Sequence, residues 1–182
     1  MAKIIPGILT NDEIDYEKRL RTAEHVSDLI QIDVIDGKFA NNTTVGPEVI
    51  LKYQSSSSLE VQLMVMDALD YINKLKEASF VSRIIVPFEG DSDVNEAIYA
   101  IRNCGKQVGL SINPQTKVKD VYSYFKNLDL LSIYAAKPGF TGQKFDDRTL
   151  GRIKQAKELD PNLAIEIDIW GNFETAPRIV AA

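Results

Sequence analysis

Seven times along this chain a short apolar run is followed by a stretch with helical spacing, and no other feature restricts its fold so strongly. The runs are "KIIPGI" (3–8), "DLIQIDVID" (28–36), "LEVQLMV" (59–65), "SRIIVPF" (82–88), "KQVGLSI" (106–112), "LDLLSIYA" (128–135) and "NLAIEIDIW" (162–170). The helical stretches between and after them include "DYEKRLRTAEHV" (15–26), "ALDYINKLKEA" (68–78), "KVKDVYSYFKN" (117–127) and "ETAPRIVAA" (174–182). Strict alternation of this kind means parallel strands joined by helical crossovers. Such strands are covered on both faces, which accounts for "RIIV" and "LLSI", where apolar residues follow one another without alternation. An open doubly wound sheet and a closed barrel both fit. No G-x-G-x-x-G follows the first run, which weakens the dinucleotide-binding reading, and the regular repeat favours the barrel. The expected fold class is α/β, a (β/α)8 TIM barrel with only about seven units present.

The count sets up an expectation about the chain's extent. A closed barrel needs eight units and usually about 250 residues, and this chain has 182. No linker divides it, so residues 1–182 are expected to be a single barrel domain truncated before the eighth strand. The alternative is a seven-unit protein closed by a partner. Exposed first and last strands invite pairing with another copy, so a homo-oligomer is compatible with this reading. "QSSSS", Gln54 to Ser58, reads as a flexible, exposed loop.

Charge and composition exclude several functions. The net charge of -5 argues against nucleic-acid binding, where a basic field supplies most of the affinity. No apolar run approaches the roughly 20 residues that span a bilayer, so no membrane partner is expected. The apolar stretch near the start is too short for a signal peptide. With no second cysteine, Cys104 has no internal disulfide partner, and a cytoplasmic location is the simple expectation. The lone histidine, His25, reads as structural or solvated.

The second run, "LIQIDVIDGKF", turns acidic at its end. Residues two apart on a strand share a face. Gln31 and Asp33 therefore point together, opposite Ile30, Ile32 and Val34, and into the barrel if the aliphatic residues meet the helices. The same spacing pairs Gln62 with Met64, and Glu166 with Asp168. Active sites of parallel barrels lie at the C-terminal ends of the strands. Buried acids are costly unless partnered, so a structural reading has each one pairing with a lysine or capping a turn. Asp36, beside Gly37, fits that reading. Asp33 and Asp168 instead fit proton transfer next to a carbonyl, one carboxyl removing a proton and the other returning it on the opposite face. After the sixth run comes "AAKPGFTGQKF" (135–145), where Gly139 and Gly142 free backbone amides to face an anion and Lys137 adds a positive charge. A plain turn would also use Pro138-Gly139.

The segments "IQIDVIDGKFANNTTVGPEVI", "VQLMV", "LSINPQT", "KPGFTGQKF" and "IEIDIWGNFETA" together resemble the ribulose-phosphate 3-epimerase family in order and spacing. The resemblance implies a (β/α)8 barrel of the ribulose-phosphate-binding type. It implies interconversion of ribulose 5-phosphate and xylulose 5-phosphate, as in the pentose phosphate pathway, by two aspartates around a divalent metal. The small phosphorylated sugar is the expected partner. By resemblance Asp33 and Asp168 are the acid/base pair, Gly139, Phe140, Thr141 and Gly142 contact phosphate, and Met64 lines the pocket.

The departures cluster at the chemistry. Gln31 and Gln62 stand where the family has metal-binding histidines, and Pro87 stands at a third pocket histidine position. Gly7 replaces a substrate-binding serine, Lys137 an asparagine, and Ile169 and Trp170 the glycines at the phosphate end. A site of Asp33, Asp168, Gln31 and Gln62 favours magnesium or manganese over zinc or iron, or no metal at all. Without a metal, Lys137 is expected to approach the acids. Two functions follow. One is a sugar-phosphate isomerase that inverts C3 of a ketopentose phosphate through an enediolate. The alternative is a non-catalytic phosphosugar-binding or interaction protein built on the same fold.

Overall fold

The computed structural model describes residues 2–140, 142–168 and 172–182. Seven strands form one parallel sheet in sequence order: β1 (Gly7–Ile8), β2 (Leu29–Ile35), β3 (Ser58–Met64), β4 (Val81–Pro87), β5 (Gln107–Ile112), β6 (Leu130–Tyr134) and β7 (Ala164–Asp168). Each pairs in parallel with the next, and the sheet curls into a half-barrel. The helices are α1 (Glu13–Glu24), α2 (Pro47–Lys52), α3 (Ala68–Leu75), α4 (Val94–Asn103), α5 (Arg148–Leu159) and α6 (Thr175–Ala181). This is the TIM-barrel-like architecture that the alternating pattern calls for. Among the described residues no helix is long and apolar enough to cross a membrane.

Local chemistry sets most element ends. Asp12, Asp67 and Asp93 cap α1, α3 and α4 by accepting a hydrogen bond from the backbone amide three residues on. β1 is only two residues long, and Pro6 just before it has no N–H to give to a ladder. The helix expected over 117–127 is instead two 3₁₀ turns, Val118–Asp120 and Tyr122–Asn127. Val118, Val121, Phe125 and Leu128 are the residues it buries, at spacings of three and four. Val121 and Tyr124 donate to carbonyls three residues back, which follows the tighter turn.

The loop "QSSSS" is not free. Glu24 on α1 accepts hydrogen bonds from the Ser55 hydroxyl (3.0 Å) and the Ser56 amide (2.8 Å), Arg21 donates to the Gln54 carbonyl, and Ser57 donates to the Ser27 carbonyl. The serines are the means by which α1 is tied to the start of β3.

The period-two pattern separates two layers. Ile30, Ile32 and Val34, with Leu59, Val61, Leu63, Ile84, Val108, Leu110 and Leu131, face outward and pack with Leu20, Ile72, Leu75, Ile101 and Ile153 of the helices. The inner face is polar at mid-height. Above it, at the C-terminal end, Ile35, Ala40, Met64 and Tyr134 form a small apolar cluster with Leu9 and Phe39.

Gly109 on β5 makes room for Ile85 on β4. A Cβ at Gly109 would lie 2.6 Å from Ile85 Cγ1 and 3.1 Å from its Cβ, atoms close to the backbone that cannot swing away. We expect Gly109→Val to lower unfolding stability by about 1–3 kcal/mol. Combined with Ile85→Ala, its cost should be less than the sum of the two single changes, measured by urea denaturation.

Candidate active site

β2, β3, β6 and β7 bring the acids together. Gln31 and Asp33 point inward from β2, Gln62 from β3, Ser132 from β6 and Asp168 from the end of β7. Gln31, Asp33, Gln62 and Ser132 are all buried, the last two completely. Asp168 lies on an edge strand and is partly exposed as a residue, yet its carboxyl is enclosed among protein atoms.

One amide joins the two acids. Gln62 Nε2 donates to Asp168 Oδ2 at 2.7 Å and, at a longer 3.4 Å, to Asp33 Oδ1. The two carboxyl oxygens are therefore no farther apart than those two bonds laid end to end. Gln31 Nε2 donates to the same Asp33 oxygen at 2.8 Å. At its other end Gln62 Oε1 accepts from the Ser132 hydroxyl at 3.1 Å.

Burial raises both acids. Asp33 is pushed up to about 8, first by burial and then by the charge of Asp168, with the hydrogen bonds from Gln31 and Gln62 pulling the other way. Asp168 is pushed up to about 6 by burial, with the Gln62 hydrogen bond opposing and Glu60 adding to the rise. A second acid pair lies one step deeper. Arg83 Nη1 meets Glu60 Oε2 at 2.6 Å, and Glu60 is fully buried. Burial raises Glu60 even so, with Arg83 opposing. Glu166, beside Glu60, has two buried oxygens with no hydrogen-bond partner. Burial, then the charge of the neighbouring Glu60, hold it well above the usual carboxylate range.

Asp36 has the structural role the sequence suggests. It accepts from the amides of Lys38, Phe39 and Met66, all at 2.8 Å. Burial pushes its carboxyl up, but these donors and Lys38 outweigh that and hold it low. His25 is exposed at the end of α1.

The proposed phosphate loop follows β6. Gly139 and Gly142 have φ of 97° and 76°, the left-handed region that favours glycine. A Cβ on Gly139 would also lie 2.7 Å from the Ala40 Cβ. Asn42 Nδ2 donates to the Gly139 carbonyl at 2.7 Å, and Gln143 Nε2 donates to the carbonyls of Lys137 and Phe140. Phe140 is exposed. Met64 is buried beside Tyr134. Gly7 is exposed on β1 with open space where a side chain would stand. Pro87 ends β4, opposite Ser111. Thr141, Ile169 and Trp170 lie outside the described residues.

The expected approach of Lys137 is not seen. Its side chain is exposed and forms no ion pair with Asp33 or Asp168. Asp33 is met instead by the amides of Gln31 and Gln62, and Asp168 by that of Gln62. Ser132 is the site residue that sequence reasoning missed. Its only signal is that "LLSIY" places Ser132 on the inward face of the strand, beside Tyr134.

The donor set does not fit a divalent cation as arranged. Gln31 and Gln62 turn N–H groups, not oxygens, towards the carboxyls. Among the described residues no three of His, Cys, Asp and Glu are grouped to hold a metal.

A curled parallel sheet with acids at the C-terminal ends of its strands defines a TIM-barrel-like α/β architecture. The chain matches the ribulose-phosphate 3 epimerase family over residues 3–182, and it belongs to that family. It is 32% identical to a ribulose-phosphate 3-epimerase of Bacillus subtilis, over 100% of this chain and 87% of that one. It is 34% identical to the Chlamydia trachomatis epimerase, over 85% of this chain and 67% of that one. With the Schizosaccharomyces pombe epimerase it shares 29% identity, over 92% of this chain and 75% of that one. Among solved structures it is similar in fold to the N-terminal domain of a Bacteroides vulgatus protein described as an aldolase. That likeness has a TM-score of 0.53 at 11% identity and covers 92% of this chain and 62% of that one.

The raised acids make stability depend on pH in a defined direction. The folded protein holds these protons more tightly than the unfolded chain does, so their contribution is fully present below the ordinary aspartate value near 3.8 and is lost as pH rises through about 6 and about 8. In chelator-treated protein we expect the urea midpoint to fall steadily from pH 5 to pH 8. Asp33→Asn should flatten the upper part of that fall and stabilise the protein at pH 8 by more than about 1 kcal/mol.

Proposed function

We propose that this chain is a sugar-phosphate epimerase that inverts C3 of a ketopentose phosphate, ribulose 5-phosphate being the first substrate to test. The observation that carries the reading is the pair of enclosed carboxyls, Asp33 and Asp168, within reach of one amide at the C-terminal ends of β2 and β7.

Two such groups with separated proton affinities suit acid/base exchange at one carbon. Both acids are raised and interact, so near neutral pH the pair holds a proton between them; with that proton on Asp33, Asp168 is the carboxylate. Asp168 takes the proton from C3. The C–H electron pair moves to form the C2–C3 double bond, and the C2 carbonyl oxygen becomes the enediolate oxygen. Asp33 then gives its proton to the opposite face of C3, and the carbonyl re-forms. The two acids have exchanged protonation states, so the reverse direction runs through the same steps with their roles exchanged.

The glycine loop supports the phosphate end of the reading. Left-handed Gly139 and Gly142 turn the backbone where an anion would be met by amides. Family membership supports a phosphorylated sugar as the substrate class, and relatives in that family carry the epimerase name. The amides at Gln31 and Gln62, in place of the family's imidazoles, favour a second reading, a phosphosugar-binding protein without turnover.

Exchange in heavy water separates the two. Proton NMR of ribulose 5-phosphate should show loss of the C3 proton signal with wild-type protein. Asp33→Asn and Asp168→Asn should each slow that loss by more than about 100-fold. Binding of the sugar phosphate with no exchange, in a folded protein supplied with magnesium or manganese, would leave the binding reading.

A further inference from the structure

We infer that Gln62, held in place by Ser132, occupies the position of a metal ion between the two acids, so that this acid pair works without a divalent cation. The inference rests on the epimerase reading only for its kinetic arm.

A cation between Asp33 and Asp168 needs oxygens or nitrogen lone pairs turned towards it. Here the space between the carboxyls is served by donors. Gln62 Nε2 carries two hydrogens, and two carboxyl oxygens lie within reach of it, Asp168 Oδ2 at 2.7 Å and Asp33 Oδ1 at 3.4 Å. Gln31 adds a third N–H contact at 2.8 Å.

The orientation of Gln62 follows from its surroundings. Turning the amide over would set its carbonyl oxygen against two carboxyls in a fully buried place, where an unpaired or repelled polar atom is costly. In the observed orientation the carbonyl oxygen is met by the Ser132 hydroxyl at 3.1 Å. Ser132 is itself fully buried, on a strand 70 residues further along the chain. A hydroxyl there has one evident partner on this side, and it is the amide that spans the acids. To admit a cation, Gln62 and Gln31 would both have to turn, and the bonds from Gln31 to Asp33 and from Gln62 to each acid would be lost together.

The chemistry separates two roles a metal would combine. A cation would hold the acids in place and also stabilise negative charge on the substrate's oxygens. The amide supplies the first role through hydrogen bonds. It brings no net charge, so stabilisation of the enediolate falls to hydrogen-bond donors alone. Ser132 is a positioning residue: it acts through Gln62.

The deciding measurement is made on the unaltered protein. It is stripped with EDTA, incubated with manganese, zinc or cobalt(II), passed through a desalting column and analysed for bound metal by mass spectrometry, with cobalt(II) absorption as a second readout. We expect no metal above the buffer background. A stoichiometric ion retained by wild type, lost with Asp33→Asn, would overturn the inference. Gln31→His combined with Gln62→His should gain a cobalt(II) site of about one equivalent, because imidazole suits that ion. If this double variant does not fold, the wild-type result still decides.

Ser132 is tested separately. Ser132→Ala should shift the side-chain amide NMR signals of Gln62 and lower kcat for C3 exchange about tenfold, with KM little changed. Ser132→Thr, which keeps a hydroxyl, should restore both. Unchanged amide signals in Ser132→Ala would overturn the positioning role. Exchange that appears only when magnesium or manganese is added would overturn the inference, whereas no exchange with or without metal, in protein whose Gln62 signals respond to Ser132→Ala, would count against the epimerase reading while leaving the amide bridge supported.

Discussion

Carboxyl groups inside a half-barrel must be given protons or donors, and the interior of this protein is arranged around that need. Asp33 and Asp168 are met by the amides of Gln31 and Gln62. Glu60 is met by Arg83, and Glu166 shares its surroundings with Glu60. An isolated buried carboxylate costs far more than one hydrogen bond returns, so neither acid level could exist without its partners. The polar layer also explains why aliphatic packing is concentrated on the outer face, between strands and helices. Those residues carry the hydrophobic stabilisation, and the inner face is left to the polar groups.

Much of this is readable from the residues alone. Period-two spacing tells which side of β2 and β7 holds the acids, because Ile30, Ile32 and Val34 cannot face the same way as Gln31 and Asp33. The parallel direction of the strands follows from their alternation with helices. What the sequence does not carry is contact between distant strands. Ser132 meets Gln62 across the interior, and no local pattern marks one serine among several as the partner of a glutamine. The same limit applies to Lys137. Its place in a loop beside the glycines suggests reach towards the acids, but reach depends on where the loop is pinned, and the amides are nearer. At 117–127 the apolar spacing fits a helix, and the short gaps between buried residues favour the tighter turn. "QSSSS" has the composition of a free linker, but Glu24 lies beside it and binds two of its serines.

By the resemblance read in the sequence, Gln31 and Gln62 stand where the family has histidines, while the chain as a whole belongs to the family. A histidine offers one nitrogen lone pair to a metal, and a glutamine offers an oxygen or an N–H group according to its surroundings. At both positions here the surroundings are carboxyls, so the N–H face is presented. Gln31 and Gln62 thus both meet the acids as hydrogen-bond donors.

The loop between β2 and α2 has a wider consequence. The Thr44 hydroxyl donates to the carbonyl of Asp33 at 2.6 Å and accepts from the amide of Ile35, while Asn42 holds the carbonyl of Gly139 at 2.7 Å. Ala40 fills the space over Gly139 that any larger residue would need. The backbone carrying one acid and the turn after β6 are thus strapped to the same short segment. A force applied at one end of that strap is felt at the other. A displacement of the turn after β6 would therefore pass through residues 40–44 to the backbone of Asp33, and the two ends of the segment would move as one.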